Sequence, residues 1–282
     1  MLWALLPLVL LRLYWRGFRE PGYRLLLGER FGFYGGEKSR AAGKLVIWVH
    51  AVSLGEMNAS KPIIDRLIGL LPDARLLITN MTAAGRHEAK KTYGDRAVIV
   101  WLPYDYPFAV RRFLSRFKPD LAILMETELW ANLIAARRDA KIRMLLANAR
   151  LSERSARRYH CVFPLISEVI SAIDVVAAQS DADRTRFAGL GAKAICVAGN
   201  VKFDVPEALG SDEKARAFRK QFGARRVMLW ASTREGEEAE LLDAFSRRPL
   251  TNVLTVIVPR HPQRFSDVAR LLDQREIGRA HV

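Results

Sequence analysis

The stretch Lys118–Asn132 reads Lys-Pro-Asp-Leu-Ala-Ile-Leu-Met-Glu-Thr-Glu-Leu-Trp-Ala-Asn. It contains the wholly apolar run Leu121–Met125, which is typical of a strand buried on both faces of a parallel sheet. Glu126 and Glu128 follow directly, where a helix is predicted to begin. Ligands of open α/β sheets bind outside the carboxyl ends of the strands, so this pair of acids predicts a site. The competing interpretation is that Glu126 caps the helix and Glu128 is solvated in its first turn, where negative charge is favoured.

The sequence around this stretch alternates short strands and helices from Lys44 onward, which indicates βαβ units and a parallel sheet. Polar loops follow several predicted strands. Capping explains each loop alone, because Ser53, Thr82 and Ser152 are good N-cap residues; their recurrence at successive strand ends favours one shared cleft. The predicted strands are Leu45–His50, Leu76–Asn80, Val98–Leu102, Leu121–Met125, Arg143–Ala147, Asp174–Ala178 and Ile195–Val197, and the predicted helices are Asn58–Leu71, Ala83–Tyr93, Tyr106–Phe117, Leu129–Ala140, Ser152–Ser171 and Asp181–Leu190.

A second α/β pattern follows Gly199–Gly210, which carries Pro206 between glycines and is typical of an interdomain linker. In this part, Ala231–Glu238 offers hydroxyls and free amides at a helix start, which suits a phosphate. Val258–Phe265 ends a strand with two arginines and a histidine, which suits a phosphate or nucleotide. A capping box and a charged turn are the alternatives. The predicted elements are helix Ser211–Phe222, strand Val227–Ala231, helix Glu235–Phe245, strand Val253–Val258 and helix Pro262–Leu272.

Composition restricts the partners. The formal net charge of +15 indicates an anionic partner: nucleic acid, a phosphorylated substrate or an acidic membrane. The basic residues show no aromatic-interleaved stripe or recognition motif, so no nucleic-acid partner is predicted. Cys161 and Cys196 have no paired spacing and the five histidines form no metal-binding pattern, so neither a disulfide framework nor a metal site is predicted.

The first residues favour the membrane among these partners. Met1–Leu11 is apolar without interruption, and Arg12, Arg16 and Arg19 follow among aromatic residues. A helix of that length reaches only about 16 Å, roughly half of the ~30 Å hydrocarbon core. The pattern of a signal peptide is missing. We therefore predict a helix inserted into one leaflet with its arginines on anionic lipid; a core helix or the remnant of a longer anchor is the alternative.

A weaker signal is the loop Gly22–Gly36 before the first strand, which contains Gly28-Glu29-Arg30. Its glycines allow the backbone to approach a ligand closely. An exposed Glu29–Arg30 pair is the ordinary explanation.

Eight motifs occur in a fixed order along the chain. They are Gly-Glu-Arg-Phe-Gly-Phe-Tyr (28–34), His-Ala-Val-Ser-Leu-Gly-Glu (50–56), Asn-Met-Thr-Ala-Ala-Gly-Arg (80–86), Leu-Pro-Tyr-Asp (102–105), Met-Glu-Thr-Glu-Leu-Trp-Ala-Asn (125–132), Ala-Asn-Ala-Arg-Leu-Ser (147–152), Gly-Asn-Val-Lys-Phe-Asp (199–204) and Pro-Arg-His-Pro-Gln-Arg-Phe (259–265). This set resembles the 3-deoxy-D-manno-octulosonic acid (Kdo) transferases of lipid A biosynthesis, and the resemblance extends to about Gln274.

The resemblance implies an α/β fold of GT-B type, with two Rossmann-like domains facing a cleft. It implies transfer of Kdo from CMP-Kdo to the lipid A precursor (lipid IVA), with inversion and with neither a metal nor a cofactor. The implied location is the cytoplasmic face of the inner membrane of a Gram-negative bacterium, on anionic lipid. Another CMP- or UDP-sugar GT-B glycosyltransferase and a non-catalytic peripheral membrane protein are the alternatives.

The resemblance also assigns roles to residues. It makes Glu29 the base that deprotonates the acceptor hydroxyl, whereas the residues alone favour Glu126 or Glu128. Arginines and helix amides would stabilise the departing CMP in place of a metal. The residues assigned to acceptor binding or support are Ser53, Glu56, Thr82, Glu126, Glu128, Asn148 and Arg150, and those assigned to the donor are Lys202, Ser232, Thr233, Arg260 and His261.

The expected organisation is a membrane-anchoring helix (1–18), a complete acceptor-binding α/β domain (19–205), a partial CMP-sugar donor domain (206–275) and a non-native tail (276–282). The family continues with a Gly-rich segment and a Gly-Gly-His-Asn-x-x-Glu motif of the donor pocket, and neither occurs here. We therefore expect the chain to be truncated at its C-terminus and to show no measurable transfer by itself.

Overall fold

The structure is a computed structural model that describes residues 11, 13–15, 17, 18, 20–35, 44–204, 211–248 and 251–278. The chain divides into two compact units, Met1–Pro206 and Glu207–Val282. Most of the predicted anchoring helix lies outside the described residues, as do linker residues 205–210 and residues 279–282 of the predicted tail. In the part of the chain that is described, every helix is too short or too polar to cross a membrane.

Parallel strands form the sheet of the first unit, and each lies within two residues of its predicted bounds. They are β1 (Val46–His50), β2 (Arg75–Asn80), β3 (Ala97–Trp101), β4 (Leu121–Met125), β5 (Arg143–Ala149), β6 (Val175–Ala178) and β7 (Ile195–Val197). Their order in the sheet is β3-β2-β1-β4-β5-β6-β7. The strand order therefore reverses between β1 and β4, and the carboxyl ends of these two strands border the crevice where such sheets bind ligands.

Helices connect these strands on both faces of the sheet. They are α1 (Leu54–Leu70), α2 (Ala83–Tyr93), α3 (Pro107–Phe117), α4 (Ala131–Asp139), α5 (Glu153–His160), α6 (Phe163–Ser171) and α7 (Asp181–Gly189). The single helix predicted over Ser152–Ser171 is wrong, because the chain breaks into α5 and α6. Pro164 lies in the first turn of α6, where it needs no N–H donor; in a continuous helix its ring would clash with the carbonyl of residue 160.

The core of the first unit lies on both faces of the sheet because successive strand residues point to opposite sides. Ile47 and Val49 of β1 pack with α1 and α2. Val46 and Trp48 of the same strand pack with the layer that contains α3 and α4. The strands are thus covered on both faces, and their ends are the places where polar groups can meet a ligand.

The second unit contains two parallel strands, β8 (Arg226–Thr233) and β9 (Val253–Pro259), among its described residues. Trp230, Leu242 and Val268 are buried there, whereas Leu229 and Val258 are exposed. The ladder shifts register between Ala231 and Thr233. Its helices are α8 (Ser211–Phe222), α9 (Glu237–Arg247) and α10 (Phe265–Gln274).

Candidate active site

Three carboxylates lie close together at the carboxyl ends of β1 and β4. Glu56 stands in the first turn of α1, where its Oε2 accepts from Val52 N at 2.8 Å and its Oε1 from the Ser53 hydroxyl at 3.0 Å. Burial raises the pKa of Glu56, and the charge of Glu126 raises it further. Burial, followed by the charges of Glu56 and Glu126, raises the pKa of Glu128 to about 7. We call Glu56, Glu126 and Glu128 the acid cluster.

Lys202 and the side-chain amide of Asn148 lie at the edge of the acid cluster. Lys202 Nζ lies 3.1 Å from Oε1 of Glu126. The 3-10 turn Val201–Asp204 that carries Lys202 is held in place because Asn148 Oδ1 accepts from Val201 N at 3.2 Å. Asn148 is buried in the left-handed conformation, with φ of 54°. Its Nδ2 is buried without a hydrogen-bond partner among the described residues, so it can donate to a ligand.

The floor beside the acid cluster is aromatic and uncharged. The rings of His50 and Trp130 meet edge to face, with centroids 6.4 Å apart. His50 Nδ1 lies 2.8 Å from Oγ1 of Thr79. Complete burial lowers the pKa of His50 to about 4, so the ring is neutral at pH 7. Burial is the first cause of the raised pKa of Glu128, and a hydrogen bond from the Trp130 side chain acts in the opposite direction.

The interpretation of Glu126 as the cap of this helix and of Glu128 as a residue of its first turn is wrong, because the helix begins at Ala131. Helix α4 begins after Trp130 without a side-chain cap from either acid. Asp105 does this work from the loop after β3, accepting from Asn132 N at 3.0 Å and from Leu133 N at 2.9 Å. Asp105 was missed as a functional partner of the site, although it ends the motif Leu-Pro-Tyr-Asp (102–105). Because Asp105 caps the helix, neither glutamate is committed to the start of α4.

Glu29 lies at the carboxyl end of β3 and is buried. Its Oε2 accepts from Trp101 N at 2.8 Å, and Arg86 Nη2 lies 3.2 Å from Oε2 and 3.4 Å from Oε1. Burial raises its pKa, although the Trp101 amide and Arg86 act in the opposite direction. The expected exposed Glu29–Arg30 pair is therefore wrong. Arg30 is also buried, with its guanidinium over the Trp101 ring at 4.0 Å from the centroid.

The loop that carries Glu29 is fixed by its backbone. Gly32 has φ of 79°, and an added Cβ would lie 2.7 Å from the carbonyl oxygen of Ala109 in α3. Only glycine allows this close approach in a left-handed conformation. Arg30 Nη2 also donates to the carbonyl of Met81 at 3.3 Å. The Gly-Glu-Arg-Phe-Gly sequence thus fastens the loop to α3 and to the end of β2.

The structure places Glu29 and the acid cluster on the same edge of the sheet but does not bring them into contact. Strands β3 and β4 are separated by β2 and β1, which corresponds to about 14 Å at the usual strand spacing. Within the described residues, no hydrogen bond or ion pair joins Glu29 to Glu126 or Glu128. The assignment of Glu29 as the base stays a prediction.

The remaining acceptor candidates have structural partners. Ser53 caps α1 by accepting from Glu56 N at 3.3 Å. Thr82 caps α2 by accepting from Gly85 N at 3.2 Å, and it donates to Val52 O at 3.1 Å. Arg150 is exposed at the end of β5, and its carbonyl accepts from the Thr127 hydroxyl. Ser53 and Thr82 thus shape the loops around the acid cluster.

The donor candidates are divided between the two units. Lys202 belongs to the first unit, where it forms an ion pair with Glu126. In the second unit, Arg260 and His261 are exposed just after β9, and Arg260 N donates to Thr233 O at 3.0 Å. Ser232 has φ of 60° at the register shift of β8. The strand ends therefore bring these four second-unit candidates to one edge.

Sequence reasoning missed a buried network beside these donor candidates. Thr233 Oγ1 donates to Glu238 Oε1 at 2.6 Å, and Arg264 Nη2 donates to Glu238 Oε2 at 2.7 Å. Burial raises the pKa of Glu238, but the hydrogen bonds from Arg264 and Thr233 leave it lowered overall. The Thr233 hydroxyl is thus committed inside the unit. The only sequence signal for this network was the second arginine of the motif at 259–265.

The parallel sheet and its strand order define the class of fold, an α/β fold that resembles the GT-B glycosyltransferase-like folds. A crystal structure of UDP-GlcNAc 2-epimerase from Neisseria meningitidis, bound to UDP-GlcNAc, has this fold. It matches with a TM-score of 0.57 and 16% sequence identity, over 81% of this chain and 69% of that one.

The family follows from sequence. The 3-deoxy-D-manno-octulosonic-acid transferase (kdotransferase) family matches residues 26–205, so the chain belongs to this family. The 3-deoxy-D-manno-octulosonic acid transferase of Bordetella pertussis is 39% identical over 95% of this chain. The corresponding Haemophilus influenzae protein is 37% identical over 96% of this chain. The chain spans 64% of the length of each of these relatives.

Proposed function

We propose that the protein is a glycosyltransferase that moves Kdo from CMP-Kdo to the lipid A precursor, lipid IVA, in lipopolysaccharide biosynthesis. Family membership supports the transferred sugar. The observation that carries the site is the acid cluster at the switch point, in which Glu126 and Glu128 are not used as caps of α4 because Asp105 caps that helix. Carboxylates at this edge are suited to hold the hydroxyl groups of a sugar acceptor.

The proposed reaction is a direct displacement with inversion and without a metal. The acceptor hydroxyl loses its proton as it attacks the anomeric carbon of Kdo, and the bond from that carbon to the CMP phosphate breaks. One carboxylate must accept the proton. The negative charge on departing CMP is stabilised by cationic side chains and backbone amides. Ser232, Arg260 and His261 are the proposed donor-side groups.

We propose Glu29 as the base. Its raised pKa and its position on the carboxyl edge support this role, and among the described residues its Oε1 has only the long contact to Arg86, at 3.4 Å, to compete with a substrate proton. The acid cluster then binds the acceptor. Glu128 is the alternative base, because a pKa of about 7 suits proton transfer near neutral pH.

Isosteric substitutions distinguish the two assignments in a chain extended to the relatives' length. Glu29→Gln should lower kcat by about 10²–10⁴ with little change in KM, whereas Glu128→Gln should mainly raise KM for the acceptor. Initial rates with CMP-Kdo and lipid IVA measure both constants. A large loss of kcat in Glu128→Gln with Glu29→Gln near wild type would move the base to Glu128.

The proposed location is the cytoplasmic face of the inner membrane, on anionic lipid. The described residues before β1 expose an apolar surface that includes Trp15, Leu25, Leu26 and Phe33. Trp15 is 69% exposed and Leu25 is 64% exposed, and several exposed apolar side chains within one segment are typical of an interaction surface. Arg24 lies in the same region, with its guanidinium 4.2 Å from the centre of the Phe18 ring. Apolar and cationic groups together suit an acidic bilayer surface.

A further inference from the structure

One cavity among the described residues lies between α3 and α4 and is lined from Pro107 and Asn132, at the starts of the helices, to Lys118 and Lys141, beyond their ends. It measures about 900 Å³ and opens to solvent. It exists because α4 presents Ala135, Ala136 and Ala140 toward α3, so the two helices leave a gap between them. Its floor is apolar, with the buried side chains of Leu114 and Ile142 at the bottom. A cavity of this size accommodates a small molecule or an acyl chain.

Two lysines stand together at one end of this groove. Lys118 follows the last residue of α3 and Lys141 lies just beyond α4, so both belong to the amino edge of the sheet, next to the starts of β4 and β5. Both side chains are exposed, and neither ammonium group forms an ion pair within the described part of the chain. The ordinary explanation of such lysines is attraction to the helix carboxyl end.

The backbone of both lysines argues for more than that attraction. Lys118 has φ of 43° and Lys141 has φ of 57°, which is the left-handed region that glycine adopts at helix ends. A lysine side chain is strained there, whereas glycine would end each helix without strain. Two strained backbone positions are therefore both occupied by lysines, and both lysines line the same groove.

The side chains that line the groove and the cavity next to it carry a net positive charge, like Lys118 and Lys141. A second cavity of about 380 Å³ adjoins the groove and shares Lys141 and Ile142 with it. The two cavities are lined by seven cationic and four acidic side chains, and the groove itself by Arg111, Lys118 and Lys141 together with Asp120 and Asp139. Among the acids, Asp174 is paired with Arg137 at 2.5 Å, and Asp120 accepts from Val46 N at 2.8 Å. The groove thus combines an apolar floor with a cationic end.

We propose that the α3–α4 groove binds an acidic phospholipid, with one acyl chain on the Leu114–Ile142 floor and the phosphate on Lys118 and Lys141. The proposed phosphate position at Lys118 and Lys141 lies at the amino edge of the sheet, at the opposite end of α3 and α4 from the acid cluster. It does not depend on the transfer reaction. An apolar chain alone would not require the lysines, and a free phosphate would not require the floor.

Binding of dodecyl phosphate below its micelle concentration tests the proposal, measured by isothermal titration calorimetry on the 282-residue chain. Dodecyl phosphate should bind more tightly than both dodecyl maltoside and inorganic phosphate. Lys118→Gly with Lys141→Gly should weaken binding by about tenfold or more, because two charges near a phosphate are lost. The same glycines relieve the left-handed strain, so the melting temperature should not fall.

Two further variants complete the test. Ala136→Phe fills the groove and should also weaken binding of dodecyl phosphate, with unchanged circular dichroism. Lys214→Gln with Lys220→Gln removes two exposed charges from α8 and should leave binding unchanged. The proposal is overturned if inorganic phosphate binds as tightly as dodecyl phosphate, if dodecyl maltoside does so, or if the Lys118/Lys141 variant binds like the α8 variant.

Discussion

At the scale of single residues, the acid cluster places three carboxylates close together, which lowers the stability of the folded chain. Glu128 is partly buried beside two other carboxylates, so its charged form is disfavoured in the folded chain. Lys202 compensates Glu126 directly. A substrate that donates hydrogen bonds to these acids would stabilise the remaining negative charge of the acid cluster. Uncompensated groups of this kind are expected where a ligand is bound rather than where a fold is only stabilised.

The pH dependence of stability follows from the pKa of Glu128. Its folded-state pKa of about 7 lies above the ordinary value of 4.5, so the folded chain binds the proton more tightly than the unfolded chain does. The free energy of unfolding should therefore fall as the pH rises from about 4.5 to about 7. Glu128→Gln removes this loss and should stabilise the chain by about 1–3 kcal/mol at pH 8, with a smaller gain at pH 5.

Urea unfolding at both pH values measures this effect. Glu153→Gln is the matched control, because Glu153 is exposed in an ion pair with Arg157 on α5 and should change stability by less than about 1 kcal/mol at either pH. Equal stabilisation by Glu128→Gln at pH 5 and pH 8 would contradict the raised pKa.

At the scale of elements, the contact between the β3–α3 loop and α4 decides which acids are available. Asp105 accepts two amides of α4, and the Asn132 side-chain amide donates to the Asp105 carbonyl at 2.6 Å. Two segments that are distant in sequence are thereby joined at the carboxyl edge. The arrangement places the start of α4 just behind Glu128, so a change in Asp105 reaches the site through the backbone.

Asp105→Ala should therefore destabilise the first unit by about 1–2 kcal/mol, the usual cost of losing a helix cap. The midpoint of urea-induced unfolding measures this cost. Asp181→Ala serves as a comparison, since Asp181 is an exposed acid in the first turn of α7, and its removal should cost only a few tenths of a kcal/mol. An unchanged midpoint in Asp105→Ala would mean that Glu126 or Glu128 can take over the cap.

At the scale of the whole molecule, the net positive charge and the exposed apolar side chains before β1 both favour binding to an acidic membrane surface. The net charge of +15 attracts the chain to any acidic surface. The exposed apolar side chains before β1 would let the chain insert into the interface once it arrives there. Charge alone would also attract nucleic acid, whereas apolar insertion is specific to a bilayer.

Sedimentation with lipid vesicles should separate these two contributions. Binding to phosphatidylglycerol-rich vesicles should exceed binding to neutral phosphatidylcholine vesicles and should weaken as salt is added. Leu25→Ser with Phe33→Ser should weaken binding by about tenfold or more, because two exposed apolar side chains that would insert into the bilayer are lost. Leu229→Ser, at a residue that is 58% exposed in the second unit, should leave binding unchanged. Equal losses in both variants would contradict a local insertion surface.

Local patterns were sufficient to predict the strands, the α/β class and the polar strand ends of this protein. Apolar runs of four to seven residues between turns indicate buried parallel strands. Ser53 and Thr82 indicate helix starts because each side chain accepts a hydrogen bond from the backbone N–H three residues further on. The acid pair after β4 was also readable, because the carboxyl end of a parallel strand is a known position for ligands.

Only the tertiary structure decided which groups meet at those ends. It buried Arg30 on Trp101, joined Glu29 to Arg86, and assigned the cap of α4 to Asp105. Those partners are distant in sequence, and no local pattern records such contacts. The pKa of Glu128 likewise depends on Glu56, a residue of another element. Local periodicity determines elements because backbone preferences act over a few residues, whereas burial and charge depend on whichever segments the fold brings together.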